Sequence, residues 1–315
     1  MRVYLAGVGG MLGEALHRVL AEQHELLCTD LNVNEAWLEK CDFRDFHEYE
    51  ASISRFEPEI LMHIGAHTSL EYCETNPDDA YRTNTLAVEH AATFAQAHGI
   101  PLVYISTAGI FDGRKEFYDD WDEPKPLGVY ARAKYLGEVL VQTRVPKHFI
   151  FRAGWMMGGG PKKDKKFINL LAKQLANGVT DLHIVNDKLG TPTYTVDFAR
   201  NLAAMIETKY YGVYNMVCGG ETSRLEVAQE LVQLLKLQER VTITPVSSDY
   251  FAKQFFAPRP ACERLVNYKL GLRSMDMMRD WRVALSEYIS NYFADYVRPF
   301  APDYIMENAL EEQIQ

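Results

Sequence analysis

Short apolar runs alternate with longer segments of helical periodicity through the first half of the chain. Residues 2–6, 25–29, 59–64, 101–106 and 148–152 are near-continuous apolar stretches rich in Val, Ile, Leu, Tyr and Phe, as expected of strands covered on both faces. Between them, residues 12–23, 80–98 and 130–142 return an apolar side chain near every third or fourth position, which predicts amphipathic helices. Strand and helix in alternation imply βαβ units with right-handed crossovers, and therefore an α/β fold with a doubly wound parallel sheet. Past Trp155 the rhythm changes. A glycine- and lysine-rich stretch at 158–166 is expected as a loop, and 186–192 as a turn. A helix at 196–207, a strand at 212–217 and a helix at 225–235 follow, with a polar, helix-like tail from 302. This divides the chain into a first unit (1–154, rejoined by about 190–208), a smaller C-terminal α/β unit (155–189 and 209–300) and a tail (301–315).

Composition narrows the classes. A chain of 315 residues accommodates about two domains at roughly 100–200 residues each. Hydrophobic residues at 47% and charged residues at 24% exclude a disordered or fibrous chain. Lys and Arg total 33 against 43 Asp and Glu, a formal charge of −10, so neither nucleic acid nor an anionic membrane is an expected partner. Any anion site must be local. The five cysteines (Cys28, Cys41, Cys73, Cys218 and Cys262) include no CxxC pair and no zinc-like spacing, which points to reduced thiols and no metal. The opening MRVYLAGVGG is too short for a signal peptide, and no apolar stretch reaches the ~18 residues of a membrane span. The expected setting is the cytoplasm.

Candidate chemistry begins directly after the first strand, at Gly7-Val8-Gly9-Gly10-Met11-Leu12-Gly13. Small residues allow a tight turn and a close backbone approach, and the helix that follows offers free N–H groups to a pyrophosphate, the Rossmann arrangement for a dinucleotide. The expected cofactor contacts here are Gly7, Gly10, Met11, Leu12 and Gly13. Asp30 ends the second strand, where a carboxylate accepts hydrogen bonds from the adenosine ribose and repels a 2′-phosphate. That favours NAD(H) and leaves NADP(H) open. Asp42, in CDFRD, fits either an adenine contact or a simple turn.

Tyr130 and Lys134 lie four apart at the start of a predicted helix, hence on one face. An ammonium beside a phenol stabilises phenolate, and the expectation is a tyrosine whose pKa moves down toward the working range. Thr107 follows the strand 101–106, at the carboxyl end where open α/β sheets carry their sites, and its hydroxyl could polarise a carbonyl.

Together GVGGMLG, ISTAGIFDG, PLGVYARAKYLGE, FRAGW and GTPTYTVDFA resemble the extended short-chain dehydrogenases/reductases, most closely the dTDP-4-dehydrorhamnose reductase family, over about residues 1–295. The resemblance implies that Thr107, Tyr130 and Lys134 are catalytic. It also implies that Gly65, Ala66 and Asn84 line the cofactor groove, that Trp155 borders the sugar pocket, and that Arg259 and Pro260 lie near the nucleotide end of the substrate. It further implies an NAD(P)H-dependent reductase of a nucleotide-linked 4-keto-6-deoxy sugar; a homodimer is the usual prior. A 4-epimerase and a dinucleotide-binding regulatory subunit, such as that of methionine adenosyltransferase, remain open on the same residues. The family pattern usually carries Asp after the threonine; this chain has Ala108 and Gly109, which also removes the acid pair a dehydratase would use. His67 stands where the family has an uncharged residue. Lys162, Lys163, Lys165 and Lys166 are candidates to close over a substrate diphosphate.

Overall fold

The computed structural model describes residues 1–293; the expected tail at 301–315 lies outside the described residues. In chain order the first half runs β1 (Arg2–Ala6), α1 (Met11–Leu20), β2 (Glu25–Asp30), β3 (Leu38–Lys40), α2 (Phe46–Phe56), β4 (Ile60–His63), α3 (Leu70–Thr75), α4 (Pro77–Tyr81), α5 (Ala87–His98), β5 (Leu102–Thr107), α6 (Val129–Arg144) and β6 (His148–Ala153). The second half runs β7 (Trp155–Met157), α7 (Gly160–Lys163), α8 (Phe167–Ala176), β8 (Asp181–Val185), β9 (Leu189–Gly190), β10 (Pro192–Tyr194), α9 (Thr195–Ile206), β11 (Gly212–Asn215), β12 (Thr222–Ser223), α10 (Arg224–Leu234), β13 (Thr242–Val246), β14 (Cys262–Glu263), α11 (Tyr268–Leu272) and α12 (Trp281–Tyr292).

One seven-stranded sheet, ordered β3-β2-β1-β4-β5-β6-β11, carries the first half, and all its pairings are parallel. Its central strands are buried almost throughout, because helices cover both faces. The chain winds outward from β1 to β3 and then crosses to β4, so a crevice opens at the carboxyl ends of β1 and β4, the usual place for a ligand.

Three local expectations are corrected. The single helix expected at 80–98 is α4, a π-helical turn at Arg82–Leu86, and α5. The wider turn buries Thr83, Asn84 and Thr85 against the interior, and such bulges often mark functional sites. The loop expected at 158–166 contains α7, and its last residue caps α8. The strand expected at 212–217 is β11, which pairs with β6 in the large sheet although residues from 209 onward were expected in the second unit. That pairing is between segments far apart in sequence, which periodicity does not report.

The second lobe is built on small sheets, β7 with β10, β9 between β12 and β14, and β8 with β13, backed by α8, α10 and α12. Its apolar side chains continue those of the large sheet: one buried cluster runs from Val103 and Phe151 through Phe198 and Leu202 to Trp281, Leu285 and Tyr288. The lobes therefore share a core, and the crevice between them is held by packing.

Candidate active site

The glycine loop leaves β1 with Gly7 at φ +75°, and a Cβ there would lie 2.2 Å from Gly65 Cα. A Cβ at Gly13 would lie 1.9 Å from the Val8 carbonyl oxygen, so α1 can start this close to the strand only without a side chain. Gly10 has open space beside it and begins α1 with no side-chain cap. The N–H groups of that first turn are thus available to an anion, which is the fit a dinucleotide pyrophosphate requires. Met11 is half-buried, while the Leu12 side chain belongs to the core and can offer only its backbone.

Asp30 sits at the end of β2 with Oδ2 accepting from Gly9 N (2.8 Å) and Oδ1 from Asn32 N (2.9 Å). Each oxygen keeps a lone pair for a ribose hydroxyl. Asp42 instead receives the Arg44 guanidinium at 2.8 and 2.7 Å, which holds its carboxyl below the ordinary range and commits it to a turn. Gly65 and Ala66 follow β4 and cross beneath Gly7. Asn84 is fully buried and spends its amide on His67, accepting from its N–H (2.8 Å) and donating to its C=O (2.9 Å). It therefore shapes the crevice by clamping the 65–68 loop. The His67 ring turns to Asp79, 2.8 Å away.

Thr107 ends β5 and accepts from Gly109 N (3.2 Å), which leaves its hydroxyl hydrogen to donate outward. Its side chain also faces the Tyr130 phenol, at the start of α6, and acts to lower that group's pKa. Burial raises the Tyr130 pKa above its ordinary value, against the expectation of a depressed one. Desolvation of the phenolate is the larger effect in the free protein, so the phenol is held protonated. One turn on, Lys134 is buried, with Nζ 4.1 Å from the centroid of the Tyr104 ring. Desolvation pushes its ammonium down to about 7, opposed by the negative charge of Glu138. Glu138, another turn along, is paired with Arg152 of β6 by two hydrogen bonds of 3.0 and 2.9 Å.

The second lobe faces this triad with Trp155, whose indole Nε1 donates to Glu263 Oε2 at 2.6 Å. The Arg224 guanidinium lies over the indole, 3.7 Å from its centroid, and burial lowers its pKa to about 10. Arg259, expected near the nucleotide, is paired with Glu71 (2.7 Å) across the lobes. The lysine run divides. Lys166 donates to the Thr68 carbonyl (2.9 Å) and hydroxyl (3.0 Å) across the crevice, whereas Lys163 pairs with Glu35 (2.9 Å) on the glycine-loop side. Lys162 and Lys165 are exposed, so the run as a whole does not gather over one anion.

With this geometry in place, the comparisons are specific. The family model described as RmlD substrate binding domain matches residues 1–294. The chain belongs to the dTDP-4-dehydrorhamnose reductase family, within the extended short-chain dehydrogenases/reductases. A dTDP-4-dehydrorhamnose reductase of Mycobacterium tuberculosis is 30% identical over 292 residues, 90% of this chain and 91% of that one. A reductase of the same name from Clostridium acetobutylicum superposes with a TM-score of 0.84 at 31% identity, covering 92% of this chain and 99% of that chain. Another, from Bacillus anthracis, was solved in complex with NADP; it has a TM-score of 0.84 at 27% identity, with coverages of 92% and 99%.

Glu263 and Arg224 were not foreseen, and no spacing signal could have found them, since they reach Trp155 only through the folding of the second lobe. Among the described residues no group of three or more His, Cys, Asp or Glu side chains could hold a metal ion, and no helix is long and apolar enough to cross a membrane.

The buried lysine gives a prediction with opposite signs for stability and turnover. Its folded pKa, about 7, lies below the unfolded ~10.4, so the folded state binds fewer protons across that window and this residue's contribution to stability rises with pH through it. Below the folded pKa the cost of burying the charge is complete. Lys134→Met should therefore raise the melting temperature at about pH 6 relative to the parent and flatten its dependence on pH up to about 10. Turnover should fall by about 10²-fold or more. A melting temperature unchanged across the whole window would refute the desolvation argument.

Proposed function

We propose that this chain reduces the 4-keto group of a nucleotide-linked 6-deoxy sugar, a dTDP-4-dehydrorhamnose-like substrate, with NAD(P)H. The observation that carries the reading is the approach of Thr107 to the Tyr130 phenol, one helical turn from buried Lys134, beside a crevice whose glycine loop fits a pyrophosphate. A reduced nicotinamide dinucleotide supplies hydride to a carbonyl carbon when bound. Gly7, Gly10, Gly13, Gly65 and Asp30 would hold it. Tyr130 donates its proton to the carbonyl oxygen as the C–H bond forms, so the C=O becomes an alcohol and the tyrosine is left to be reprotonated. Thr107 donates a hydrogen bond to the same oxygen and orients it. Lys134 in its charged form stabilises the phenolate left behind. Arg224 and Lys166 supply local positive charge toward a sugar-nucleotide diphosphate, in a chain that is acidic overall.

The test is direct: dTDP-4-keto-6-deoxy sugar added to the purified chain with NADH or NADPH should consume one reduced dinucleotide per alcohol formed. Tight dinucleotide binding without turnover would favour the regulatory-subunit reading, and interconversion of 4-epimers without net consumption the epimerase.

Discrimination between the two dinucleotides belongs to Asp30, whose carboxylate would face a 2′-phosphate and favours NADH on that ground. Asp30→Asn keeps an acceptor for Gly9 N while removing the charge. Its kcat/KM ratio of NADPH over NADH is expected to rise by about tenfold, the effect of roughly 1.4 kcal/mol. An unchanged ratio would clear Asp30 of this role.

A further inference from the structure

The turn after Thr107 carries no carboxylate, and position 108 is a buried methyl group packed among Ile110, Phe111, Tyr118, Val217 and Leu265. Position 109 has no side chain. A Cβ built there would lie 3.2 Å from Glu263 Oε1 and 3.5 Å from Thr107 Oγ1. The space beside the catalytic threonine is thus taken by a carboxylate arriving from β14, in the other lobe. A second glycine completes the arrangement: a Cβ at Gly190, the register partner of Glu263, would lie 2.2 Å from the Trp155 ring. Gly109 and Gly190 together make room for a glutamate and an indole locked by a 2.6 Å hydrogen bond.

That bond uses Oε2. Oε1 makes no hydrogen bond among the described residues and stands at the Thr107–Gly109 turn. Arg224, stacked on the same indole, balances the charge from the far side. We propose that Glu263 is a substrate-binding, specificity-determining residue, whose Oε1 accepts a hydrogen bond from the sugar hydroxyl next to the reacting carbonyl while Oε2 fixes Trp155. This rests on the nucleotide-sugar reading. In a 6-deoxy sugar with its keto group at carbon 4, the adjacent hydroxyl is the one on carbon 3. An ionised carboxylate only accepts, so it selects a donor at that position and is left unpaired by a 3-deoxy analogue. Burial is what chiefly keeps the Tyr130 phenol protonated, and the Glu263 charge adds a smaller push in the same direction.

The experiment compares the full chain with Glu263→Gln and Glu263→Ala on two probes, dTDP-4-keto-6-deoxyhexose and its 3-deoxy counterpart. Gln keeps an acceptor for the indole but loses the charge; Ala loses both. Glu263→Gln should lower kcat/KM for the 3-hydroxy probe by about tenfold or more and leave that for the 3-deoxy probe nearly unchanged, so discrimination collapses. The alkaline limb of its pH profile should move to lower pH, and NADPH affinity should not change. Tryptophan emission should shift in Glu263→Ala more than in Glu263→Gln. Equal losses on both probes, or none, would overturn the proposal.

If the parent chain reduces neither probe, the reductase reading fails by itself. Glu263 is then tested by titration with dTDP-rhamnose: weaker binding by Glu263→Gln supports its role, whereas equal binding, or no binding by the parent, overturns it.

Discussion

Replacing Tyr130 by Phe is expected to lower turnover by about 10²- to 10⁴-fold, the usual cost of losing a positioned proton donor. The ring stays in place and only the hydroxyl is lost. Thr107 still accepts from Gly109 N, so the change exposes no unmet backbone donor at the turn. Because the glycine loop and Asp30 are untouched, dinucleotide affinity should be nearly the same as in the parent. The two quantities are read separately, by turnover of the keto sugar and by titration of bound dinucleotide fluorescence. Burial already holds the phenol above its ordinary pKa, so the parent carries the proton throughout the neutral range in its free state. Undiminished turnover in Tyr130→Phe would remove this residue from the chemistry.

The second large effect lies one layer below. Arg152 and Glu138 are 4% and 0% exposed and share two hydrogen bonds, and the guanidinium also lies 5.3 Å from the centroid of the Phe111 ring. Arg152→Ala would leave a buried, unpaired carboxylate on the sheet-facing side of α6 and should cost about 3–5 kcal/mol of stability. Removing both charges with apolar residues of similar volume should recover most of that loss, since the pair itself contributes little beyond satisfying its own desolvation. Glu138→Leu alone should lower the Lys134 ammonium further, because the carboxylate is what opposes its desolvation. Denaturant unfolding of the single and double variants measures the cycle. A cost for Arg152→Ala below about 1 kcal/mol, as for an exposed pair, would contradict it.

These two layers explain why one helix carries so much of the proposed function. Tyr130, Lys134 and Glu138 recur every fourth residue on the face of α6 turned to the sheet. The outermost meets Thr107, the middle one Tyr104, and the innermost Arg152. Each step goes deeper, from half-buried Tyr130 to Lys134 and then to fully buried Glu138.

Legibility varied with the range of the interaction. The βαβ rhythm, the glycine loop and the Tyr130–Lys134 spacing are local patterns, governed by backbone geometry within a turn or a strand, and could be read from the chain alone. The π-turn at Arg82–Leu86 could not, because its extra backbone width is stabilised by packing on α6, including the Thr85 hydroxyl on the Ala133 carbonyl (2.8 Å). Arg259 illustrates the same limit: the family resemblance sets it near the nucleotide end of the substrate, and the fold pairs it with Glu71.

Sequence by itself determined the parallel sheet and the place of its crevice, because each follows from short-range geometry at strand ends and helix starts. Tertiary structure decided the protonation tendencies of Tyr130 and Lys134, which depend on how much water is excluded. It also decided the joining of β11 to the main sheet and the arrival of Glu263 beside Thr107, since contacts between lobes are made by a shared core that no local pattern encodes.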